Sequence, residues 1–311
     1  MSAPARPRLL VVGGFGGLLG RALLSELAPV YALRTVHRHP DAAESATGVE
    51  WRRADAATTT DWDAALDSVD AVVNLAWWRS GRAARFRALG KGLCALIAAA
   101  ARRRVDRFVQ VSVPAAPPRL EAELPYLVEK RGVDRALAES GLSYRIVRPT
   151  AMFGRGDVLL GVMLRTIRRF RIFPMFGDGR YHLSPIAASD VAAIIRRELA
   201  GSTSGTVDLG GPERFEYRVL TDQMFRLVGV APHYWTMSPD GGRRLARLLE
   251  SVGSHRLYAY EVEWLVSDLL GLPPTDRLDR PLLRVGPYLA AEAGAMGHGA
   301  DRPPASPSGA S

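Results

Sequence analysis

A short apolar strand that runs directly into a glycine-rich turn is the feature that most constrains how this chain can fold. Residues 9–12 read Leu-Leu-Val-Val, and Gly14, Gly17 and Gly20 follow at the spacing G-x-x-G-x-x-G, with a helical pattern from Leu18. Glycine also suits an ordinary strand-to-helix turn. Here, however, the turn lets the backbone approach a pyrophosphate and aims the first N–H groups of a helix at the anion. We therefore predict a dinucleotide phosphate site formed by Gly14, Phe15, Gly16, Gly17 and Leu18.

The rest of the first half alternates strand and helix patterns. This alternation is typical of a parallel sheet that is covered by helices on both faces. Further strands are predicted at residues 30–36, 49–51, 71–75, 108–111 and 143–147, and long helices at residues 83–103 and 125–140. We therefore predict an α/β chain with a Rossmann-type doubly wound parallel sheet.

Beyond Thr150 the pattern loosens, which suggests a change of architecture. We expect four segments: a basic arm at 1–8, the dinucleotide-binding core at 9–156, a smaller C-terminal lobe at 157–290 and a disordered tail at 291–311. The lobe contributes late sheet elements and the substrate pocket. The tail is predicted from its Gly, Pro, Ser and Ala content.

Composition narrows the class of protein. The chain has 311 residues, of which 47% are hydrophobic, enough for a large packed core. Its one cysteine, Cys94, excludes an intrachain disulfide and most thiolate metal sites, and we predict no metal.

We find no membrane-span pattern and no apolar signal region, so we expect a cytoplasmic protein. The net charge of +9 is spread along the chain without interleaved aromatic residues, so we predict a small-molecule substrate rather than a nucleic acid partner.

The end of the second strand indicates which dinucleotide binds. An acidic residue at this position binds the ribose 2′-hydroxyl of NAD(H), whereas a basic residue accommodates the 2′-phosphate of NADP(H). The sequence places His37 and Arg38 there and has no acidic residue. Arg38 is also open to a simpler interpretation as one more surface arginine, because 39 of the 41 basic residues are arginine. The missing carboxylate favours NADP(H) over NAD(H).

Further motifs follow in a fixed order. They are D-A-V-V-N-L-A at 70–76, V-D-R-F-V-Q-V-S at 105–112, Y-L-V-E-K at 126–130, S-G-L-S-Y-R-I-V-R-P at 140–149, P-I-A-A-S-D-V-A at 185–192 and G-G-P-E at 210–213. Together with the glycine turn, they resemble the extended and atypical branches of the short-chain dehydrogenase/reductase superfamily. The chain is most similar to NmrA-like proteins, isoflavone-reductase-like proteins, the NAD(P)H-binding accessory subunit of respiratory complex I and epimerase/dehydratase-like proteins. The resemblance covers residues 8–229.

The resemblance implies a set of cofactor contacts. Asp55 stands where the family places an acidic residue against the adenine. The end of the fourth strand lies over the cofactor, and the segment after residue 149 lies on the nicotinamide side. The implied contacts there are Leu75, Ala76, Trp77, Pro149 and Met152. Trp77 and Trp78 either form an aromatic wall for a planar substrate or pack under a loop.

Tyr126 and Lys130 are the predicted catalytic pair. They are four residues apart on a predicted helix and therefore share one face. A phenol of ordinary pKa is a poor base at neutral pH, so a nearby cation meets a chemical need. Lys130 is one of only two lysines in the chain. The resemblance implies that Lys130 lowers the pKa of Tyr126 and anchors the nicotinamide ribose, that Tyr126 transfers a proton, and that Ser112 donates to the substrate oxygen.

Four positions depart from the family pattern. Ser112 precedes Val113 instead of continuing into further Ser or Thr residues, and Leu89 replaces an Asn that supports proton relay in many active members. Gly13 replaces a usual Thr, and Asp134 stands where a Glu often follows the lysine. These departures bear on turnover more than on cofactor binding.

Two functions therefore remain open. The first is an NADP(H)-dependent oxidoreductase that acts on a small carbonyl or alcohol, or on an activated alkene. The second is a non-catalytic NADP(H)-binding redox sensor, assembly factor or structural subunit. A sugar-nucleotide epimerase is compatible with the fold but has no specific signature in the sequence. The resemblance also implies that the helices at 83–103 and 125–140 pair subunits where such proteins form homodimers.

Overall fold

A seven-stranded parallel sheet lies at the centre of the molecule. The computed structural model describes residues 6–37, 48–251 and 257–298. The sheet is formed by β1 Arg8–Val12, β2 Ala32–His37, β3 Val49–Arg53, β4 Ala71–Asn74, β5 Arg107–Val111, β6 Tyr144–Pro149 and, from much later in the chain, β11 Gly205–Leu209. Their spatial order is β3-β2-β1-β4-β5-β6-β11. The order reverses between β1 and β4, which is where ligands bind in doubly wound sheets. The predicted fold class is confirmed.

Helices cover both faces of this sheet. One face carries α1 Leu18–Leu27 and α7 Ala188–Ala200, and the other carries α2 Asp63–Leu66, α3 Ala83–Arg102 and α5 Pro125–Ala138. Alternate residues of β1 point to opposite faces of the sheet. Leu9 and Val11 pack in the core of the first face, and Leu10 and Val12 pack in the core of the second. The central strands are therefore continuous apolar runs rather than alternating ones.

The remaining elements build the C-terminal lobe around a core of its own. The lobe contains α6 Leu160–Phe170, β8 Phe173–Phe176, α8 Tyr217–Val228, β13 Tyr234–Met237, α9 Pro239–Ser251, α10 Ala259–Val266 and α11 Val285–His298. Two short strand pairs, β7 Met152–Phe153 with β10 Ile186–Ala187 and β9 His182–Leu183 with β12 Phe215–Glu216, link it to the sheet. No helix among the residues that the structure describes is both long and apolar enough to cross a membrane.

Three segments differ from the sequence prediction. Residues 291–298, which are predicted to belong to a disordered tail, form the second half of α11. The first half of this helix is anchored in the core of the lobe by the buried side chains of Val285 and Leu289. The Pro-rich segment after Ser112 contains a short helix, α4 Pro118–Glu123, that starts on a proline. The parallel pair β8 and β13 had no clear signal, because each strand is short and its partner lies about sixty residues away.

Candidate dinucleotide and catalytic site

The glycine turn after β1 is open towards solvent and closed towards the sheet. A Cβ placed on Gly14, Gly16 or Gly17 would meet no atom within 4 Å, whereas a Cβ on Gly20 would overlap the carbonyl oxygen of Gly14. No side chain caps α1 at Gly17. The backbone of the turn and the start of α1 therefore face a free space, an arrangement that fits a pyrophosphate.

The turn is held against the end of β4. The backbone N–H of Leu75 donates to the carbonyl of Val12 at 2.8 Å, and that of Ala76 donates to Oδ1 of Asn74 at 3.0 Å. A Cβ on Gly13 would lie 2.7 Å from the amide nitrogen of Ala76. Glycine at position 13 is thus required by the close approach of two strand ends. The structure brings Leu75 and Ala76 beside the predicted phosphate-binding residues.

A second loop borders the same turn. Arg21, in the first turns of α1, donates hydrogen bonds to the carbonyls of Gly16 and Arg155. Leu18 lies against Gly154 in the same loop. Pro149 is buried at the end of β6, and Met152 is partly buried in β7 just before this loop. The predicted nicotinamide-side residues therefore lie at the same edge of the sheet as the glycine turn.

The predicted adenosine end lies at β2 and β3. His37 is exposed at the end of β2, and Trp51 lies edge-on to it with ring centroids 6.1 Å apart. Arg53 pairs with His37 in the parallel register. Asp55 follows β3, where its Oδ1 accepts a hydrogen bond from Ala57 at 2.9 Å. Arg38 lies outside the described residues.

Tyr126 and Lys130 lie together on the buried face of α5, as their spacing predicts. Both side chains are almost completely buried. The ring of Trp77, from the end of β4, contacts both: its centroid lies 5.5 Å from that of Tyr126, and the Lys130 ammonium lies 4.4 Å above it. Trp77 thus joins the predicted cofactor edge to the predicted catalytic pair by a cation–π contact.

Burial dominates the ionisation of both groups. Loss of solvent raises the pKa of the Tyr126 phenol, and the carboxylates of Glu261 and Asp134 raise it further, against a smaller lowering by Arg131. Loss of solvent lowers the pKa of Lys130 to about 8, with Asp134 acting in the opposite direction. The family resemblance implied that Lys130 lowers the pKa of Tyr126. In the structure described, desolvation of the phenol outweighs the lowering by Arg131. The role of Lys130 towards Tyr126 stays a prediction.

Ser112 is not directed towards a substrate. Its hydroxyl donates to Oδ2 of Asp134 at 2.6 Å and accepts from Arg131 at 3.2 Å. The side chain is buried, and its proton is committed to a charge-assisted hydrogen bond. The predicted role of Ser112 as donor to a substrate oxygen is therefore not supported by this arrangement.

Comparison with known proteins agrees with this geometry. Residues 13–162 match a family model described as NAD(P)H-binding. The matched segment, which runs from the glycine turn to the start of α6, is therefore similar to NAD(P)H-binding domains. It is 29% identical over 133 residues to NADH dehydrogenase [ubiquinone] 1 alpha subcomplex subunit 9, mitochondrial, of Arabidopsis thaliana; the match spans 42% of this chain and a third (33%) of that protein.

Two solved structures show how much of the chain shares a known fold. A putative epimerase from Burkholderia cenocepacia J2315 has a TM-score of 0.69 and 19% identity, covering 94% of this chain and 99% of the other. The UDP-glucose 4-epimerase of Thermus thermophilus, in complex with NAD, has a TM-score of 0.60 and 18% identity, covering 74% and 86%. These likenesses establish a shared fold.

Aromatic residues that the sequence did not single out cover the predicted catalytic tyrosine. The ring centroids of Tyr260 and Trp264, both in α10, lie 5.0 Å and 4.7 Å from that of Tyr126, and Phe86 in α3 lies at 5.4 Å. No sequence pattern links α10 to Tyr126, which lie more than 130 positions apart, so their contact could not be predicted. Arg131 was also missed, although it lies beside Lys130 in the motif.

Salt bridges hold α10 in this position. Arg79, in the loop after β4, donates to both carboxylate oxygens of Glu261 at 2.6 Å and 2.8 Å. Arg243 of α9 donates to Glu263 at 2.5 Å. Within the described part of the chain, no group of three or more His, Cys, Asp or Glu side chains is arranged to hold a metal ion. The site is thus built from a dinucleotide turn, a buried Tyr–Lys pair and an aromatic cover.

Proposed function

We propose that the chain is an NADP(H)-dependent oxidoreductase that acts on a small carbonyl or alcohol, with reduction as the favoured direction. One observation carries this proposal. Tyr126 and Lys130 lie on one buried face of α5, and Trp77 from the cofactor edge contacts both side chains. A proton donor, a cation and the predicted nicotinamide edge are therefore adjacent.

Burial raises the pKa of Tyr126 and so keeps the phenol protonated at neutral pH, which is the form required for reduction. A phenol that keeps its proton at neutral pH is available to donate it to an oxygen on which negative charge develops, whereas alcohol oxidation requires a phenolate. Lys130, when protonated, is placed to hold the ribose of the nicotinamide and to balance that charge. Bound NADPH would supply the hydride. The surrounding rings favour an apolar or planar substrate.

Arg53, at the predicted adenosine end, supports the choice of NADP(H). Strand alternation places Arg53 on the same face of β3 as Trp51, which contacts His37, whereas Arg52 shares the other face with Glu50. Arg52 is paired with Glu50 at 2.6 Å. Arg53 is therefore placed to meet a 2′-phosphate next to His37.

The experiment is a titration with NADPH and NADH, followed by nicotinamide fluorescence, of the wild type, Arg53→Ala and the matched control Arg52→Ala. We expect Arg53→Ala to weaken NADPH binding by roughly tenfold, about 1.4 kcal/mol, and to leave NADH binding unchanged. Arg52→Ala should match the wild type for both nucleotides. Equal affinity for the two nucleotides in all three proteins would overturn the NADP(H) preference, and no binding of either would overturn the cofactor assignment.

A second candidate function is non-catalytic NADP(H) binding, by a sensor, assembly factor or subunit. It is supported by the hydrogen bond that engages Ser112 and by the rings of Tyr260 and Trp264 against Tyr126. The likeness to a respiratory subunit points the same way. The two functions are separated by measuring NADPH oxidation in a screen of small carbonyl compounds. Turnover by the wild type that is lost in Tyr126→Phe, with unchanged NADPH binding, supports the enzyme. Absence of turnover in the wild type supports the binding protein.

A further inference from the structure

A groove with a charged lining lies along α5, next to the face that carries the predicted catalytic pair. It has a volume of about 600 Å³ and runs between α4, α5 and the strands β6 and β11. Its charged lining consists of Glu121, Arg131, Asp134, Arg135 and Arg148. Neither Tyr126 nor Lys130 lines it, so the groove is separate from the dinucleotide site.

Arg148, on β6, is the unusual residue of this groove. Only 18% of its side chain is exposed. Its Nε is buried without a hydrogen-bond partner, and no hydrogen bond of its guanidinium is found among the residues that the structure describes. Four other arginines of the described chain are at least as buried, and each is hydrogen-bonded to protein oxygens: Arg34, Arg107, Arg131 and Arg145.

The nearest carboxylate does not satisfy Arg148. Oδ2 of Asp134 lies 3.9 Å from its Nη2, too far for a hydrogen bond. That oxygen already accepts from Ser112 at 2.6 Å and from Arg131 at 3.0 Å. A glutamate at position 134 would be one methylene longer and would extend further towards β6. The aspartate therefore leaves a buried cation without an acceptor, which is costly unless something in the groove supplies one.

The remaining charges of the groove define the ligand more closely. Oδ1 of Asp134 has no hydrogen-bond partner, but almost none of its surface is exposed, so a ligand in the groove does not reach it. Arg131 is saturated by Glu121, Asp134 and three further oxygens. Arg135, which is exposed, adds a second positive charge. A group that carries several anionic oxygens can accept hydrogen bonds from Arg148 and lie beside Arg135, and a phosphate is such a group.

We propose that this groove binds a phosphate group, either free or carried by a small phosphate monoester. The guanidinium of Arg148 would donate to the phosphate oxygens, and Arg135 would add a second positive charge. The groove volume suits a small molecule. The site is independent of the proposed function, because it shares no lining residue with the dinucleotide turn or the Tyr–Lys pair.

The test is calorimetric titration of the full chain with inorganic phosphate and, separately, with glycerol 3-phosphate. Ionic strength is held constant with chloride, and each titration is run with and without NADPH. We expect saturable binding of at least one of the two in the millimolar range or tighter. Tighter binding of the ester identifies a phosphate monoester site, and tighter binding of phosphate identifies a free-anion site.

Three variants decide whether the binding occurs in the groove. Arg148→Gln should weaken it at least about tenfold, because the charge-assisted hydrogen bonds are lost. Asp134→Glu should weaken it as well, since the longer carboxylate would pair with Arg148 without changing the net charge. Arg244→Gln, an exposed arginine of α9, should bind like the wild type. Folding of each variant is checked by its thermal midpoint.

Two results would overturn the proposal. The first is absence of binding in the wild type, which would mean that the groove holds only water. The second is equal affinity in the wild type, Arg148→Gln and Arg244→Gln, which would place the anion elsewhere, for example at the glycine turn. Neither result depends on whether NADPH binds, so failure here is distinguishable from failure of the proposed function.

Discussion

Tyr126 and Lys130 lie one helical turn apart on α5, and the chemistry of each is set by its surroundings rather than by its type. The phenol lies among four aromatic rings, and the ammonium rests on the face of Trp77. An ammonium in such a position loses most of its hydration, and the cation–π contact returns only part of it. The pKa of Lys130 therefore falls towards neutrality, and the charged form is destabilised when the chain folds.

This burial predicts how stability depends on pH. Below about pH 8 Lys130 is protonated in both the folded and unfolded chains, and the buried charge lowers the free energy of unfolding. Between about pH 8 and the usual lysine value of 10.5, the unfolded chain holds a proton that the folded chain has released. The free energy of unfolding therefore rises with pH in this window.

We expect Lys130→Met to be more stable than the wild type at pH 7, by about 3 kcal/mol at most, and the gap to narrow by pH 10. Urea unfolding at pH 7, 8.5 and 10 measures it. The other lysine of the chain, Lys91, is exposed on α3 and provides the matched control: Lys91→Met should follow the pH dependence of the wild type. A gap between Lys130→Met and the wild type that stays constant from pH 7 to pH 10 would contradict the prediction.

Some glycines of this chain are required by close packing between elements, and others are not. In α1, Gly20 faces the glycine turn so closely that a Cβ would overlap the backbone of Gly14 and Phe15. In α5, Gly132 is exposed, and a Cβ there would meet no atom within 4 Å. Both residues lie inside helices, where glycine is less favourable than alanine. Only the tertiary contact distinguishes them.

Alanine should therefore act in opposite directions at the two sites. Gly20→Ala should lower the free energy of unfolding by about 1–3 kcal/mol, because the turn must shift to make room, and should also weaken NADPH binding. Gly132→Ala should raise the free energy of unfolding by about 0.5–1 kcal/mol through helix propensity. Urea unfolding of both variants is the measurement. A stabilised Gly20→Ala with intact NADPH binding would mean that the close packing of α1 on the turn is not essential.

The molecule as a whole consists of the sheet with its helices and a C-terminal lobe that covers the predicted catalytic tyrosine. The two parts meet at α10, where Tyr260 and Trp264 lie against Tyr126 and the Arg79–Glu261 pair connects the lobe to the loop after β4. Access of a substrate to the Tyr126 hydroxyl therefore depends on how firmly α10 is held.

Removal of the Arg79 side-chain charge should loosen α10. A bidentate pair of this partial exposure is worth about 1 kcal/mol. We therefore expect amide hydrogen exchange in residues 259–266 of Arg79→Gln to be about fivefold faster than in the wild type. Arg119→Gln, which breaks the more exposed pair with Glu123 within α4, should leave that exchange unchanged. Unaltered exchange in Arg79→Gln would show that the ring contacts alone hold α10.

Much of this architecture follows from local sequence. The glycine spacing after residues 9–12, the apolar central strands and the four-residue spacing of Tyr126 and Lys130 each depend on neighbouring residues only, and each has the predicted placement. The start of α1 and both ends of α3 agree with the predicted positions to within one residue. Segments whose partners are distant in sequence were harder to predict. Residues 291–298 were predicted as part of a tail, but they continue a helix whose first half packs in the lobe core through Val285 and Leu289.

The sequence by itself determined the parallel sheet, the dinucleotide turn and the shared helix face of Tyr126 and Lys130, because periodicity and short-range spacing carry that information. Only the tertiary structure decided the environment of the pair. Contacts between residues more than a hundred positions apart bring α10 over Tyr126 and raise the pKa of its phenol. The packing of α5 on β5 and β6 commits Ser112 to Asp134 and leaves Arg148 without an acceptor. Burial and hydrogen bonding depend on which distant side chains meet, and that is a property of the packed chain rather than of any single segment.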